Sequence, residues 1–394
     1  METVKVFDSG TVTAVMELIS FSVAKKPLSD KAIYTPELCN NILELAAHHS
    51  ILPIVFDALY NNGLLDLSDE RIVALRKNHL NNVIRDERMG YQLKALSEVL
   101  QNAGIDHIPL KGAVIRRLFP ESWMRTSCDI DVLVHPCDLE SSVALLTDEM
   151  SCRYMCKTAH DVSLLAPGNV HIELHYDLIE ENEREETSAV LRDVWKHSAP
   201  VEPGSHRYEM SNEMFMLYHI AHMAKHMLNG GCGIRPFIDL WLIRSRLDID
   251  EAKLKGMLCR SRLEKFADEA YALCDVWFSG AEHSDLTERM QAYIFGGGVY
   301  GSLQNQLAVR RGKGEGRVRH FMNLAFLPRK NLEMVYPGLK NHPCLMPFYQ
   351  VRRWFRVFNR KKRDKIAVNV SANKQLSEEK IEQVSDLMAE LGLK

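Results

Sequence analysis

The 394-residue sequence has no C-x-x-C pair and no H-E-x-x-H element. Its nine cysteines therefore lack the spacing of a zinc knuckle or a redox dithiol, and Cys152 and Cys156 fall inside a stretch read as sheet. Reduced cysteines and a cytoplasmic setting are the expectation. No stretch approaches 18 uncharged apolar residues, since Glu17 interrupts the best early candidate, so no membrane-spanning helix is expected. The opening Met1-Glu2-Thr3-Val4-Lys5, with Asp8 close behind, is not the basic lead of a signal peptide. Internal repeats are absent, and so is a large charge of either sign.

What is present is a globular composition, 46% hydrophobic and 26% charged, long enough for two or three compact units. The net charge of -3 hides an asymmetry. Residues 300–365 carry 16 Lys or Arg against Glu315, Glu333 and Asp364, a local +13, which leaves -16 for the rest. The two parts are suited to different partners.

Apolar residues recur at three and four over residues 12–100, as in Leu38, Ile42 and Leu45, and breaks fall near Pro27, Pro36, Pro53 and Gly63. Roughly four helices fit before the first strand. Residues 103–178 alternate strand and helix, with strands predicted at 105–110, at the Asp129 segment, near Tyr154, at Val162–Leu165 and around Glu173. Pro167-Gly168-Asn169 predicts a tight turn between the last two. Pro200 to Ser211 reads as a loop, and Ser211 as the N-cap of a helix reaching about Leu228, with Glu213 in its first turn. Helical spacing continues to about residue 300. From 310 the chain turns to Arg, Lys and Gly, and Ser377 is placed to cap a last amphipathic helix. The expected division is a helical region over 1–100, an α/β core over 101–200, a helical domain over 201–300 and a basic, partly irregular region over 301–394.

Chemistry concentrates in the second region. Asp129-Ile130-Asp131 opens a short apolar run closed by His135-Pro136, so both carboxylates share one face of a strand while Ile130 packs on the other. Two such acids repel unless a cation lies between them, and hard oxygen donors suit magnesium. His171-Ile172-Glu173-Leu174-His175 alternates in the same way and offers a third acid. Upstream, Leu110-Lys111-Gly112 turns from a predicted strand into a predicted helix start, where backbone N–H groups and Lys111 are suited to phosphate. Two acids beside a glycine turn point to metal-assisted phosphoryl chemistry.

Gly112, Asp129-Ile130-Asp131 and Glu173 together resemble the nucleotidyltransferases of the DNA polymerase β superfamily. The match is closest to a bacterial branch in which LKG, an arginine, DID and ELH follow in order. Here these stand as Leu110-Lys111-Gly112, Arg125, Asp129-Ile130-Asp131 and Glu173-Leu174-His175. The likeness runs over residues 38–245, through a His-rich helix with His219, His222 and His226, then Gly230-Gly231, Arg235 and Asp239. One departure is Ala113, where the superfamily usually has a small hydroxyl residue.

The resemblance implies an α+β fold: a mixed-sheet core of the polymerase β type, flanked by N-terminal and C-terminal helical regions. It implies two Mg2+ ions on Asp129, Asp131 and Glu173, with an NTP, expected to be ATP, as donor. Lys111, Gly112, Arg125, His175, His222, Arg235 and Asp239 would then line the nucleotide site. The expected reaction moves a nucleoside monophosphate to a hydroxyl of an acceptor that the sequence does not name, whether small molecule, peptide or protein. The alternative is an inactive binding or regulatory protein on the same fold, contacting nucleic acid through 300–365.

Other groupings admit plainer readings. His219, His222 and His226 stack on one helical face, open to metal binding, to nucleotide or acceptor contact, or to packing alone. Arg235 and Asp239 are one turn apart, placed for an ion pair or a triphosphate clamp. Ala159-His160-Asp161 is like the HD pair of metal phosphohydrolases, without the further His and Asp on helices that such a site needs. The run from Arg352 to Arg363 mixes cations with Trp354, Phe355 and Phe358, suited to RNA, anionic lipid or a phosphorylated acceptor, or to a helix with Trp354 and Phe358 turned inward.

Overall fold

Capping residues set the helix starts in the N-terminal region. α1 (Ser9–Ala24) begins at Asp8, whose carboxylate accepts from the Thr11 N–H at 2.9 Å. α2 (Pro36–His48) is capped by Thr35 and carries Pro36 in its first turn, as α3 (Leu52–Asn61) carries Pro53. Proline there sacrifices no helix bond, so these breaks are helix starts. α4 (Glu70–Asn102) runs 33 residues from an Asp69 cap. A computed structural model of the chain describes residues 7–178, 184–298, 301–312, 326–327, 329, 332–333, 336–339, 342–357, 371–373 and 376–394.

The core is a five-stranded mixed sheet of β1 (His107–Pro109), β2 (Asp129–Val134), β3 (Arg153–Lys157), β4 (Asp161–Ala166) and β5 (Val170–His175), in the order β1-β2-β5-β4-β3. Only β2 and β5 pair in parallel; the other neighbours are antiparallel. Gly168 (φ 79°) and Asn169 (φ 59°) take the left-handed turn that folds β4 onto β5. α5 (Gly112–Ile115) is a single turn after β1, and α6 (Leu139–Asp148) follows β2.

Period-two alternation divides the sheet. Ile130, Val132 and Val134 with Ile172, Leu174, Val162 and Leu164 form one apolar layer with Leu96 and Leu100 of α4 and Leu146 of α6. Asp129 and Asp131 on β2, with Glu173 and His175 on β5, belong to the opposite face. A second, larger core joins α1–α3 to the helices that follow the sheet. These are α7 (Glu185–Leu191), then, past the hairpin described next, α8 (Asn212–Leu228), α9 (Arg235–Arg246), α10 (Glu251–Arg260), α11 (Glu264–Ser279), α12 (Asp285–Phe295) and α13 (Leu303–Gly312). The fold is therefore α+β, with a mixed-sheet core flanked by helices from both ends of the chain.

Three readings change. Pro200–Ser211 is not a plain loop: β6 (Ser198–Pro200) and β7 (Tyr208–Met210) pair antiparallel, and the His206 carbonyl accepts from the His107 N–H at 2.8 Å, extending the sheet edge. Three-residue strands are too short to carry a periodicity, and backbone bonds alone define them. Arg310-Arg311-Gly312 is the last turn of α13. Gly312 packs closely there: a Cβ would sit 3.1 Å from Ser385 Cβ on the last helix, α15 (Glu378–Glu390), after α14 (Met346–Val357). Ser377 caps α15 as expected. Trp354, 37% exposed, rests against Phe326 rather than turning fully inward. Residues 313–325 and 358–370, which carry much of the basic stretch and include Phe358, lie outside the described residues.

Ser211 caps α8, accepting from the Met214 N–H. Glu213 has a larger role than its favourable place in the first turn. Its carboxylate accepts from the Asp250 N–H at 3.1 Å and Lys253 Nζ at 2.9 Å, clamping α10 to α8. Burial works against the charge, but these donors outweigh it and hold the pKa at about 2. The clamp is thus complete above the ordinary glutamate range and lost as pH falls toward about 2. Glu213→Gln is expected to lower the melting temperature at neutral pH by about 2 °C. Thermal melts should show that gap closing as pH drops from 4.5 toward 2.

Candidate active site

The parallel register of β2 and β5 sets Asp129 beside His171, Asp131 beside Glu173 and Leu133 beside His175. The carboxylates therefore meet because of strand pairing between residues 44 or fewer positions apart. Asp131 is 3% exposed and receives two donors on the same oxygen, Oδ1: Lys111 Nζ at 3.1 Å and His175 Nε2 at 2.8 Å. Burial alone would raise its pKa. The Lys111 ammonium and the His175 bond overcome that and hold Asp131 below the usual carboxylate range.

Asp129 and Glu173 behave in the opposite sense. Burial and the charge of Asp131 raise both, and Glu173, which also feels Asp129, is pushed up to about 7. Asp131, Glu173 and His175 present ligand atoms that all lie within 4.8 Å of one another. The tight group thus holds His175 where Asp129 was expected, while the Asp129 carboxylate accepts from Ser127 Oγ at 3.3 Å. A divalent cation fits this donor set: hard carboxylate oxygens, two of them with pKa raised by burial and by the Asp131 charge, and a lysine ammonium already drawn to the third.

Lys111 reaches Asp131 from an unusual backbone, φ 42° and ψ -120°. A side-chain-bearing residue there is strained by about 1–3 kcal/mol and needs its surroundings to hold it. On one side the Leu110 N–H donates to the Asp131 carbonyl at 2.9 Å. On the other, the Lys111 carbonyl accepts from Val114 and Ile115 in α5. Arg116 Nε bonds the Gly112 carbonyl at 3.0 Å and its Nη1 meets Asp86 at 2.8 Å, tying the turn to α4. A Cβ at Gly112 would lie 2.8 Å from Ser127 Oγ, so any side chain there would displace Ser127. The Ala113 N–H is spent on the Leu110 carbonyl, so the turn offers fewer backbone donors than a full helix start.

The remaining predicted residues gather beside the carboxylates, around a cavity of ≈ 70 Å³ lined by Lys111, Tyr218, His222, His226, Arg235 and Asp239, among others. Asp239 places both oxygens at 2.9 Å from Arg125 Nε, and Arg125 Nη1 donates to the Thr126 carbonyl at 2.8 Å. That pair ties the segment before Asp129 to α9. Arg235 Nη1 donates to the same Thr126 carbonyl at 3.0 Å. His219 is spent on the Pro236 carbonyl at 2.9 Å, whereas His222 and His226 share an Nε2–Nε2 contact of 3.3 Å at the cavity. Burial and nearby cations push His226 down to about 4 and His222 well below its ordinary value, so both imidazoles are neutral at pH 7. The positive charge facing this space is that of Lys111, Arg235 and the paired Arg125.

Sequence reading missed several contributors. Ser127 puts a hydroxyl against Gly112, on the strand side of the turn that Ala113 leaves without one. Arg116, four residues after Gly112, carries no signal in the sequence. His160 and Asp161, read above only as an HD-like pair, meet at 2.9 Å and, with His175, form a second group whose ligand atoms lie within 4.8 Å. Only the β4–β5 ladder brings them to the site.

No curated protein and no solved structure is significantly similar to the chain. A family profile described as an uncharacterised nucleotidyltransferase matches residues 36–279, a span wider than the 38–245 read from the motifs. With that profile covering well over half of its length, the chain belongs to this nucleotidyltransferase family.

Proposed function

We propose that the protein transfers a nucleoside monophosphate from an NTP, with ATP as the expected donor, to a hydroxyl of an acceptor, releasing pyrophosphate. The observation that carries this reading is the pairing of Asp131 with Glu173 on one sheet face beside Asp129, with the pKa of Glu173 raised to about 7. Asp129, Asp131 and Glu173 would hold magnesium, with His175 keeping Asp131 in place. Bound magnesium would neutralise phosphate charge and lower the pKa of the acceptor hydroxyl. Glu173 is suited to take the hydroxyl proton as the oxygen attacks the α-phosphorus and the bond to the β-phosphate oxygen breaks. Lys111 and Arg235 offer cations to the phosphates, and Arg125, locked by Asp239, holds the strand entry rigid. A pocket with cations and neutral imidazoles favours an anionic ligand over a cationic one.

The reading predicts that ATP with magnesium raises the melting temperature, that ATP without a divalent cation does so weakly, and that Asp131→Asn removes the effect. A thermal-shift panel of the four NTPs, with magnesium or EDTA, measures this. No shift from any nucleotide would overturn transfer in favour of a binding protein on this fold. Among the described residues no helix is long and apolar enough to cross a membrane. Of the 16 cations through which 300–365 would contact nucleic acid, ten lie outside the described residues.

A further inference from the structure

α4 buries one side against its own chain and exposes a continuous stripe on the other. Asn82 Nδ2 donates to the Trp123 carbonyl at 2.9 Å, Arg85 Nη2 to the Cys128 carbonyl at 3.1 Å and Gln92 Nε2 to the Pro167 carbonyl at 3.2 Å. On the opposite side Val73, Leu80, Ile84 and Tyr91 are 55%, 55%, 49% and 71% exposed. Four apolar side chains along one helix face are more than isolated surface residues.

Their spacing carries the inference. With Glu70, Lys77, Glu87 and Lys94, all exposed, they follow one another at alternating steps of three and four, which is the seam of a two-helix coiled coil. We propose that this face binds the same face of a second copy of the chain, with the two α4 helices antiparallel about a two-fold axis level with residue 82.

In that register every layer is complementary. Val73 meets the second copy's Tyr91, and Leu80 meets its Ile84. Lys77 meets its Glu87, and Glu70 meets its Lys94. Each pair is equidistant from residue 82, so the two-fold generates the reciprocal contacts and doubles every layer. The seam spans the 24 steps from residue 70 to 94, about 36 Å at 1.5 Å per residue. A parallel pairing is rejected by the same residues, because Lys77 would face Lys77, and Glu87 would face Glu87. The flanking cations do not oppose the antiparallel arrangement. Arg76 lies over its own Tyr60 ring at 5.2 Å and would neighbour Gly90 of the second copy, while Arg88 would neighbour Ala74. Among the described residues Lys94 has only an exposed contact at 3.9 Å with Glu98, which competes weakly.

Charge reversal separates this register from any other dimer. Sedimentation of the full chain at tens of micromolar should give a dimer. Lys77→Glu, which sets glutamate against Glu87 in two layers, should raise the dissociation constant by about tenfold or more. Lys77→Glu combined with Glu87→Lys should restore it, with thermal melts showing all three proteins folded. A monomeric wild type, a dimer indifferent to Lys77→Glu, or a folded double variant that fails to re-associate would each overturn the proposal. None of these residues belongs to the active site, so transfer by a monomeric variant and dimerisation of an inactive one are read separately.

Discussion

Glu173→Gln is expected to cut nucleotidyl transfer steeply while raising the melting temperature of the metal-free protein at alkaline pH. Asp131→Asn is expected to lose both transfer and stability. The two carboxylates are cross-strand neighbours, so the contrast arises from their partners. Glu173 is raised to about 7 by burial and by Asp131 and Asp129. In the wild type it therefore favours the folded state when protonated, and that contribution is lost as pH rises from 4.5 through about 7. Glutamine removes the titration, so in EDTA the variant should gain on the wild type by about 2 °C at high pH and not at low pH. Asp131 instead carries bonds from Lys111 and His175, and asparagine leaves the partly buried Lys111 ammonium without the carboxylate it contacts. Each substitution should reduce transfer by about 10³, the scale of losing one group that stabilises charge in the transition state. Steady-state rates with paired melts across pH would test both, and full activity in either variant would sink the assignment of these acids.

Asp239→Ala should produce the largest loss of stability. Arg125 and Asp239 are 8% and 1% exposed, and the carboxylate accepts through both oxygens. Removing the acid leaves a guanidinium buried without its partner, at a cost of about 3–5 kcal/mol. Arg125→Met with Asp239→Leu removes both charges and should recover much of that loss, since apolar replacements of a buried pair are often nearly neutral. Denaturant titrations would measure the two. The double variant should still transfer poorly, because Arg125 Nη1 also packs on the Gly112 turn, 3.4 Å from where a Cβ would stand. If Asp239→Ala unfolded no more easily than the wild type, the pair would not be what joins α9 to the strand entry.

Much of the candidate site was legible in the sequence, because its signals are local. An aspartate pair on an apolar run, a glycine after a lysine and an alternating Glu173 segment each follow from strand and turn geometry. The helix caps at Ser211 and Ser377 were legible for the same reason, since a cap is one side chain and the next three N–H groups. What Arg125 and Asp239 do was not legible. Arg235 lies one turn from Asp239, as well placed for an ion pair as for a triphosphate clamp, yet the Asp239 bond runs from Arg125, 114 positions away. Nothing local marks such a contact. The pairing of β6 with β7 was hidden because it rests on backbone bonds, which any sequence can make.

The sequence by itself carried the α+β class through its motif resemblance, and it placed Asp129, Asp131 and Glu173 on strand faces because period and propensity act over a few residues. The tertiary structure decided the rest: which oxygen of Asp131 takes Lys111 and His175, why Glu173 holds its proton to about 7, and how Arg125 reaches Asp239. Those are properties of charge and burial across strands and helices. They come into being only when distant segments share one low-dielectric space.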